Sequence, residues 1–212
     1  VEEYYQQTGR AGRDGFKSSA VLFWRPQDRS LHVKHIGQAS TEISKISGMK
    51  RLHAISQYVE GHTCRKQFLA AYFGDVNVVC NRTCDNCIKP PKFEEIQVNV
   101  HVANALTITQ TLLLRNVKPT YESVTLVLRG ANTTAARRDK LNEIPLHGCG
   151  KNTFSDNTAK SFLRFLVWND FLAENINLIN EKYVGSFLGI TAKGFTVLQG
   201  RYNEAIMWNK AK

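Results

Sequence analysis

Cys64-Arg65-Lys66-Gln67 and, thirteen residues later, Cys80-Asn81-Arg82-Thr83-Cys84-Asp85-Asn86-Cys87 bound the stretch from which the rest of this chain is read. Three cysteines fall within eight residues, and a fourth lies sixteen positions upstream. A thiolate-bound metal needs four sulfurs converging tetrahedrally, and short Cys-x(2–4)-Cys turns deliver two or three of them on one loop. The spacing therefore predicts a metal site made by Cys64, Cys80, Cys84 and Cys87, with Cys64 supplied by a preceding helix. Structural Zn²⁺ is the reading preferred here. An iron–sulfur cluster also takes four cysteines, and disulfides or free thiols stay open. The fifth cysteine, Cys149, lies 62 residues past Cys87 without a cysteine neighbour. It reads as a free thiol at a tight turn.

The 212 residues allow one large domain or two small ones, and 42% of them are hydrophobic, enough for a packed core. No apolar run approaches the ~18 residues that a membrane helix requires, so no membrane partner is expected. Lys plus Arg number 28 against 18 Asp plus Glu, a formal net charge of +10. The excess is spread, with 14 basic and 10 acidic groups in residues 1–97 and 14 and 8 in residues 98–212. Such a balance favours an anionic partner, nucleic acid before membrane surface.

The chain begins Val1-Glu2-Glu3-Tyr4-Tyr5-Gln6-Gln7-Thr8, then Gly9-Arg10-Ala11-Gly12-Arg13-Asp14-Gly15. Without an initiator Met it reads as a piece of a longer protein. Arg10 and Arg13, three apart in a glycine-rich run, can offer planar donor forks to phosphate oxygens. No Gly-Lys-Ser/Thr follows, so this is not a Walker-type loop, and a solvated Gly/Arg turn is the plain alternative. Tyr4-Tyr5-Gln6 followed by GRAGRDG resembles the last helicase motif of the RecQ family of DNA helicases. In that family the motif lies on the second RecA-like lobe and faces ATP held by the first lobe. The resemblance implies Arg13 as the arginine finger, Arg10 as a second phosphate or coupling contact, and Gln6 as a residue near the nucleotide. A finger of this kind stabilises transition-state charge only when the lobes close. Gln7 departs from the Glu common in the family and removes one local charge.

Ser18 to Trp24 is a short apolar run ended by Pro26, and it reads as the last buried strand of that lobe. From Leu31 to Val59 no proline occurs, and Ile36, Ile43, Ile46, Met49, Leu52, Ile55 and Val59 recur at helical steps on one face. Ser40 or Thr41 with Glu42 is a candidate cap. A second helix is expected over Cys64 to Phe73, with Arg65 and Lys66 as solvated charges. Pro90-Pro91 ends the unit. Here too the chain is similar to the RecQ family, whose helical zinc module follows the second lobe. Cys64-Arg65-Lys66, Phe73-Gly74-Asp75 and Cys84-Asp85-Asn86-Cys87 match its elements. Four thiolates close the coordination shell, so the expected zinc is structural and not catalytic.

In the C-terminal half, helices are expected over Val98–Arg115, Tyr121–Leu128 and Asn152–Asn169, the last with Phe154, Phe162, Phe165, Leu166 and Trp168 as a core stripe. Two short strands follow (Phe171-Leu172 with Ile176–Ile179, and Tyr183–Ile190). A last helix is expected from Thr191 through Trp208. Three helices and a hairpin is the order of a winged helix. Arg115 to Arg164 carries nine basic and four acidic residues, suited to phosphate contacts that position DNA without reading its sequence. A solvated basic face is the alternative. RecQ helicases carry a winged helix here, and Gly148-Cys149-Gly150-Lys151 matches their Gly-x-Gly-Lys element. That resemblance implies backbone-phosphate contacts from Arg129, Asn132 and Lys151. It also places Lys182 and Tyr183 at a hairpin tip that wedges the duplex end, where Tyr183 could stack on the terminal pair or fold back onto the domain.

The expected fold class is mixed α/β, mostly α: the end of a RecA-like lobe over 1–30, a helical four-cysteine zinc module over 31–91, and a winged-helix domain over 92–212. The resemblance, closest to the branch of the Bloom and Werner helicases, implies part of an ATP-dependent 3′-to-5′ DNA helicase of the nucleus. Its implied cofactors are Zn²⁺ here and ATP with Mg²⁺ in the complete enzyme. Its implied partners are forked or duplex–single-strand DNA and the first RecA-like lobe. The Walker lysine and Mg²⁺-binding acids are not in this chain, so no ATPase is expected of it alone. The competing readings are a non-catalytic zinc plus winged-helix DNA-binding module and a protein-interaction winged helix.

Overall fold

The computed structural model describes residues 1–180 and 183–211, with side chains outside 177–184 and 211. It divides into two compact units, Val1–Pro91 and Lys92–Lys212. The fold class is mixed α/β and mostly helical.

The first unit contains α1 (Glu2–Thr8), α2 (Asp28–Gly37), α3 (Glu42–Glu60), α4 (Arg65–Tyr72) and the short α5 (Asp85–Ile88). The apolar span from Leu31 to Val59 is divided at Thr41, one of the two cap candidates. Thr41 stands extended, at φ −127 and ψ 148, and its hydroxyl accepts from the Ser44 N–H at 3.1 Å. That cap satisfies a donor left over at the start of α3, and the helical chain is interrupted between Gly37 and Glu42. Only part of the stripe is buried. Val33, Met49 and Leu52 are inside, whereas Ile43 and Ile46 face solvent. Gly48 lets α2 and α3 approach closely, since a Cβ there would meet the Ile36 side chain at 2.9 Å.

Ser18–Trp24 is not the buried strand expected of it. It forms no regular element, and Phe23 is 91% exposed. A strand exists only where its N–H and C=O groups find a ladder, and the described residues provide none for this run.

The second unit contains β1 (Phe93–Gln97), α6 (Asn99–Leu114), α7 (Tyr121–Arg129), α8 (Thr134–Arg138), a 3₁₀ turn at Leu141–Glu143, α9 (Asp156–Trp168), β2 (Leu172–Asn180), β3 (Tyr183–Ile190), α10 (Ala192–Leu198) and β4 (Met207–Ala211). Capping boxes set two helix starts: Thr120 with Ser123 opens α7, and Ser155 with Thr158 opens α9. The second box starts α9 at Asp156, four residues after the expected Asn152. β2 and β3 form an antiparallel hairpin, with Leu172 opposite Ile190 and Ile176 opposite Ser186. Helices α6, α7 and α9 followed by this wing make a winged helix.

The expected final helix stops at Leu198, and Gly200 turns the chain with φ +68. Trp208 lies instead on β4, which pairs antiparallel with β1, Gln97 opposite Met207 and Phe93 opposite Ala211. Of the aromatic stripe, Phe154, Phe162 and Leu166 are core as expected, while Phe165 packs against that core half-buried and Trp168 is half-buried outside it. Phe162 is fully buried, stacks on Phe154 at 4.9 Å, and meets Trp208 edge-on at 5.3 Å. Val102, Leu106, Val124, Leu128, Leu166, Leu172 and Leu188 complete this core. Among the described residues no helix is long and apolar enough to cross a membrane.

Candidate metal centre and nucleic-acid interface

The four predicted cysteines are brought together. Cys64 occupies the position before α4, and Cys84 the position before α5. Asn81 and Arg82 take left-handed backbone angles, φ 51 and 53, and turn the chain back between Cys80 and Cys84. The Thr83 hydroxyl secures that turn on the Cys80 carbonyl at 2.7 Å. The four Sγ atoms lie within 4.8 Å of one another, and those of Cys84 and Cys64 are 3.9 Å apart. A tetrahedral zinc ion ~2.3 Å from each sulfur sets the sulfurs ~3.8 Å apart, so the cage is the size of one ion. A multi-iron cluster needs its sulfurs spread around a larger body, and all four cysteines are free of disulfides.

The electrostatics suit the same ligand. Burial opposes ionisation of Cys80, but the backbone N–H groups of Cys84 and Thr83 and the Thr83 hydroxyl prevail and hold its thiol at about 6. The sulfurs of Cys84 and Cys64 push Cys87 up to about 12, and burial raises Cys64. Crowded thiols cannot all ionise together, and a bound divalent cation removes that conflict. In such a site Cys64, Cys80, Cys84 and Cys87 would be the four ligands of a structural zinc.

Arg65 is not the solvated charge expected of it. Its Nε donates to Asp85 Oδ1 at 3.1 Å and its Nη2 to Asp85 Oδ2 at 3.2 Å. Its Nη1 reaches the carbonyls of Tyr58 and, at 3.2 Å, Gly61 at the end of α3. Asn86 donates to the Gly61 and Thr63 carbonyls at 3.1 and 2.8 Å. One planar fork thus ties the α3 terminus to the metal loop, a job that suits guanidinium geometry. Arg65 also holds the Asp85 carboxyl below its ordinary range. Lys66 is exposed as expected.

Helix α1, carrying Tyr4, Tyr5 and Gln6, is bonded to this unit. Tyr72 donates its hydroxyl to Glu2 at 2.6 Å, the Tyr4 and Tyr58 hydroxyls are 3.3 Å apart, and the rings of Tyr5 and Phe73 are 4.8 Å apart. The bond from Tyr72 holds the Glu2 carboxyl down at about 2. Gln6, Arg10 and Arg13 are exposed, the two arginines in a run of turns that includes Gly12 at φ +74.

In the second unit the Gly148–Lys151 turn is fastened to the end of α7. The N–H groups of Gly148 and Gly150 donate to the Val127 and Leu128 carbonyls, each at 2.8 Å. Gly130, at φ +66, and Gly148, at φ +85, meet so closely that a Cβ on Gly130 would lie 2.8 Å from the Gly148 Cα. Arg129 and the turn ending in exposed Lys151 therefore share one end of α7. Asn132 is exposed just before Thr133, which caps α8. Arg129 Nη1 donates to Asp156 Oδ1 at 3.1 Å, and Lys160 joins Asp156 and Glu122 at 2.9 and 2.7 Å. Sequence reasoning missed these acidic partners. The four-residue step from Asp156 to Lys160 was a local signal, but the partner of Arg129 was not. Lys182 lies outside the described residues, and of Tyr183 only the strand backbone is described. Cys149 is a free, half-buried thiol raised by burial.

The family model described as RecQ zinc-binding matches residues 26–88, and the RQC domain model matches residues 92–211. The chain is 28% identical over 201 residues to the ATP-dependent DNA helicase RecQ of Pasteurella multocida (strain Pm70), covering 94% of this chain and 30% of that protein. It is 25% identical over 205 residues to the protein of the same name from Bacillus subtilis (strain 168), covering 97% and 33%. With the ATP-dependent DNA helicase Q-like 4B of Arabidopsis thaliana it shares 28% identity over 227 residues, 94% of this chain and 19% of that protein. The chain thus spans a third or less of the length of these relatives.

Proposed function

The chain belongs to the RecQ helicase family, and on that premise we propose that it is part of an ATP-dependent 3′-to-5′ DNA helicase acting in repair, recombination and replication. Residues 1–30 end the second RecA-like lobe, residues 31–91 form the zinc module, and residues 92–212 form the winged-helix DNA-binding domain. Arg13 is the arginine finger toward ATP held with Mg²⁺ by the first lobe, with Arg10 and Gln6 beside it. The zinc held by Cys64, Cys80, Cys84 and Cys87 is a structural clamp. Arg129, Asn132 and Lys151 hold backbone phosphates of duplex DNA near a fork, and Lys182 and Tyr183 stand at the separating wedge. The location is nuclear for a eukaryotic source and not for a bacterial one.

The observation that carries the reading is the end of α7, where hydrogen bonds from Gly148 and Gly150 hold the turn to Lys151 beside Arg129. Two cations whose backbones are tied to one helix end suit a phosphate backbone. The test is binding of forked DNA across a salt series, before and after chelation, with metal analysis of the purified chain. Zinc content near one per chain and a steep loss of affinity with salt are expected; salt-independent binding refutes the DNA reading. In the complete protein, Arg13→Ala is expected to abolish ATP turnover and leave DNA binding intact. Unchanged turnover refutes the finger. ATP hydrolysis by the chain alone refutes its dependence on the first lobe.

A further inference from the structure

The acidic group beside Arg129 is the least expected feature of a surface meant for phosphates. Asp156 is the first residue of α9, where the helix N-terminus favours a carboxylate. Its two oxygens are divided between two cations: Oδ1 accepts from Arg129 Nη1 at 3.1 Å and Oδ2 from Lys160 Nζ at 2.9 Å. Lys160 is held in turn by Glu122 in the first turn of α7, at 2.7 Å. Glu122 and Arg129 lie at opposite ends of α7, and Asp156 and Lys160 are one turn apart on α9. The chain of contacts Glu122–Lys160–Asp156–Arg129 therefore braces the two helices and ends on the guanidinium. The same end of α7 carries the Gly148–Lys151 turn. Burial works against the Lys160 charge, yet Glu122 and Asp156 raise its pKa above the ordinary value, so it stays cationic inside the brace.

We propose that Asp156 is a positioning residue for DNA binding, holding the Arg129 fork in the orientation in which it meets a backbone phosphate. This rests on the reading of Arg129 as a phosphate contact. An arginine free to sample its rotamers must be ordered when it binds, whereas one already held by Asp156 has met that cost in the free protein. Arg129 keeps further N–H donors on its planar fork beyond the Nη1 that Asp156 engages. The sign of the effect is what separates this idea from simple electrostatics. Removing a carboxylate next to a phosphate site should by charge alone tighten binding. Positioning requires that it weaken binding.

The experiment measures binding of a fluorescein-labelled duplex to the full 212-residue chain across a salt series, with Arg129→Gln, Asp156→Asn and the double variant, each checked for unchanged circular dichroism and melting. Asp156→Asn is expected to weaken binding about 2- to 10-fold and to lower the salt slope by about one, as Arg129→Gln does. The double variant is expected to bind no more weakly than Arg129→Gln. Weakening by Arg129→Gln with unchanged or tighter binding by Asp156→Asn overturns the positioning role and leaves the phosphate contact standing. Additive losses in the double variant also overturn it, because Asp156 then acts elsewhere. Wild-type binding by Arg129→Gln overturns the phosphate reading and the proposal together.

Discussion

Replacing Arg65 by Met keeps much of the stem and removes the contacts that its guanidinium makes to Asp85 and to the end of α3. The side chain of Arg65 is only 18% exposed, while that of its partner Asp85 is 67% exposed. The ion pair itself is therefore worth about 0.5 kcal/mol, as for other solvent-facing pairs. The larger loss is at the carbonyls of Tyr58 and Gly61, which receive Nη1 where α3 has run out of its own donors. Hydrogen bonds from a charged donor contribute about 1.5–3 kcal/mol, less where the freed carbonyl regains water, so about 1 kcal/mol each is a fair figure here. The sum is about 2.5 kcal/mol, which for a domain of this size lowers the melting midpoint by roughly 10–20 °C. The assay is thermal unfolding of the zinc-loaded chain followed by circular dichroism, together with the rate of zinc capture by a colorimetric chelator. Asp85→Asn is the control. It removes the exposed half of the network and should cost about 0.5 kcal/mol. Equal losses in the two variants, or a melting point for Arg65→Met matching the parent, would show that the carbonyl bonds contribute nothing and refute the reasoning.

Two further outcomes are expected. Cys84→Ser removes one ligand of a closed cage, so zinc content and the stability of the first unit should fall sharply, with DNA affinity lost only as a consequence. A variant that stays fully folded yet loses DNA binding would contradict the clamp. In the second unit His101 lies edge-on to Phe154 at 5.0 Å with its Nδ1 buried and unpartnered among the described residues. Burial first, and the Lys210 charge second, lower its pKa from 6.5. The unfolded chain thus binds this proton more readily, so His101 contributes stability above pH 6.5 that is lost as pH falls toward the folded pKa. Urea midpoints measured from about pH 7.5 down to about 5.5 should decline, and His101→Gln should flatten the decline; parallel profiles for the two proteins would remove His101 from the account.

Much of the fold was legible because its signals are short-ranged. The apolar periodicity of α6, α7 and α9 lies within the helices it marks, whereas the equally local capping boxes at Thr120 and Ser155 were passed over, and α9 was placed four residues early for that reason. Elements whose cause lies elsewhere in the chain were misread. Trp208 follows a helical run closely enough to pass for its end, yet the strand that claims it begins at Phe93. Ser18–Trp24 has strand composition, but composition cannot supply the neighbouring strand. The candidate sites divide in the same way. Cysteine spacing named the metal cage, whereas the partners of Arg65 and Arg129, 20 and 27 residues away, left no sequence signal.

What the amino-acid sequence by itself determined is the chemistry held in local turns: four cysteines spaced for one ion, glycines where the chain doubles back beside α7, and helices whose ends carry their own caps. Only the tertiary structure decided which charges are spent inside the protein and which face outward. Arg65 and Arg129 look alike as isolated letters. One is consumed by Asp85 and the end of α3, and the other is held by Asp156 at the end of α7. The physical reason is that an ion pair is set by distance in space, and its partners here lie 20 and 27 residues away along the chain, far beyond the reach of helical or strand periodicity.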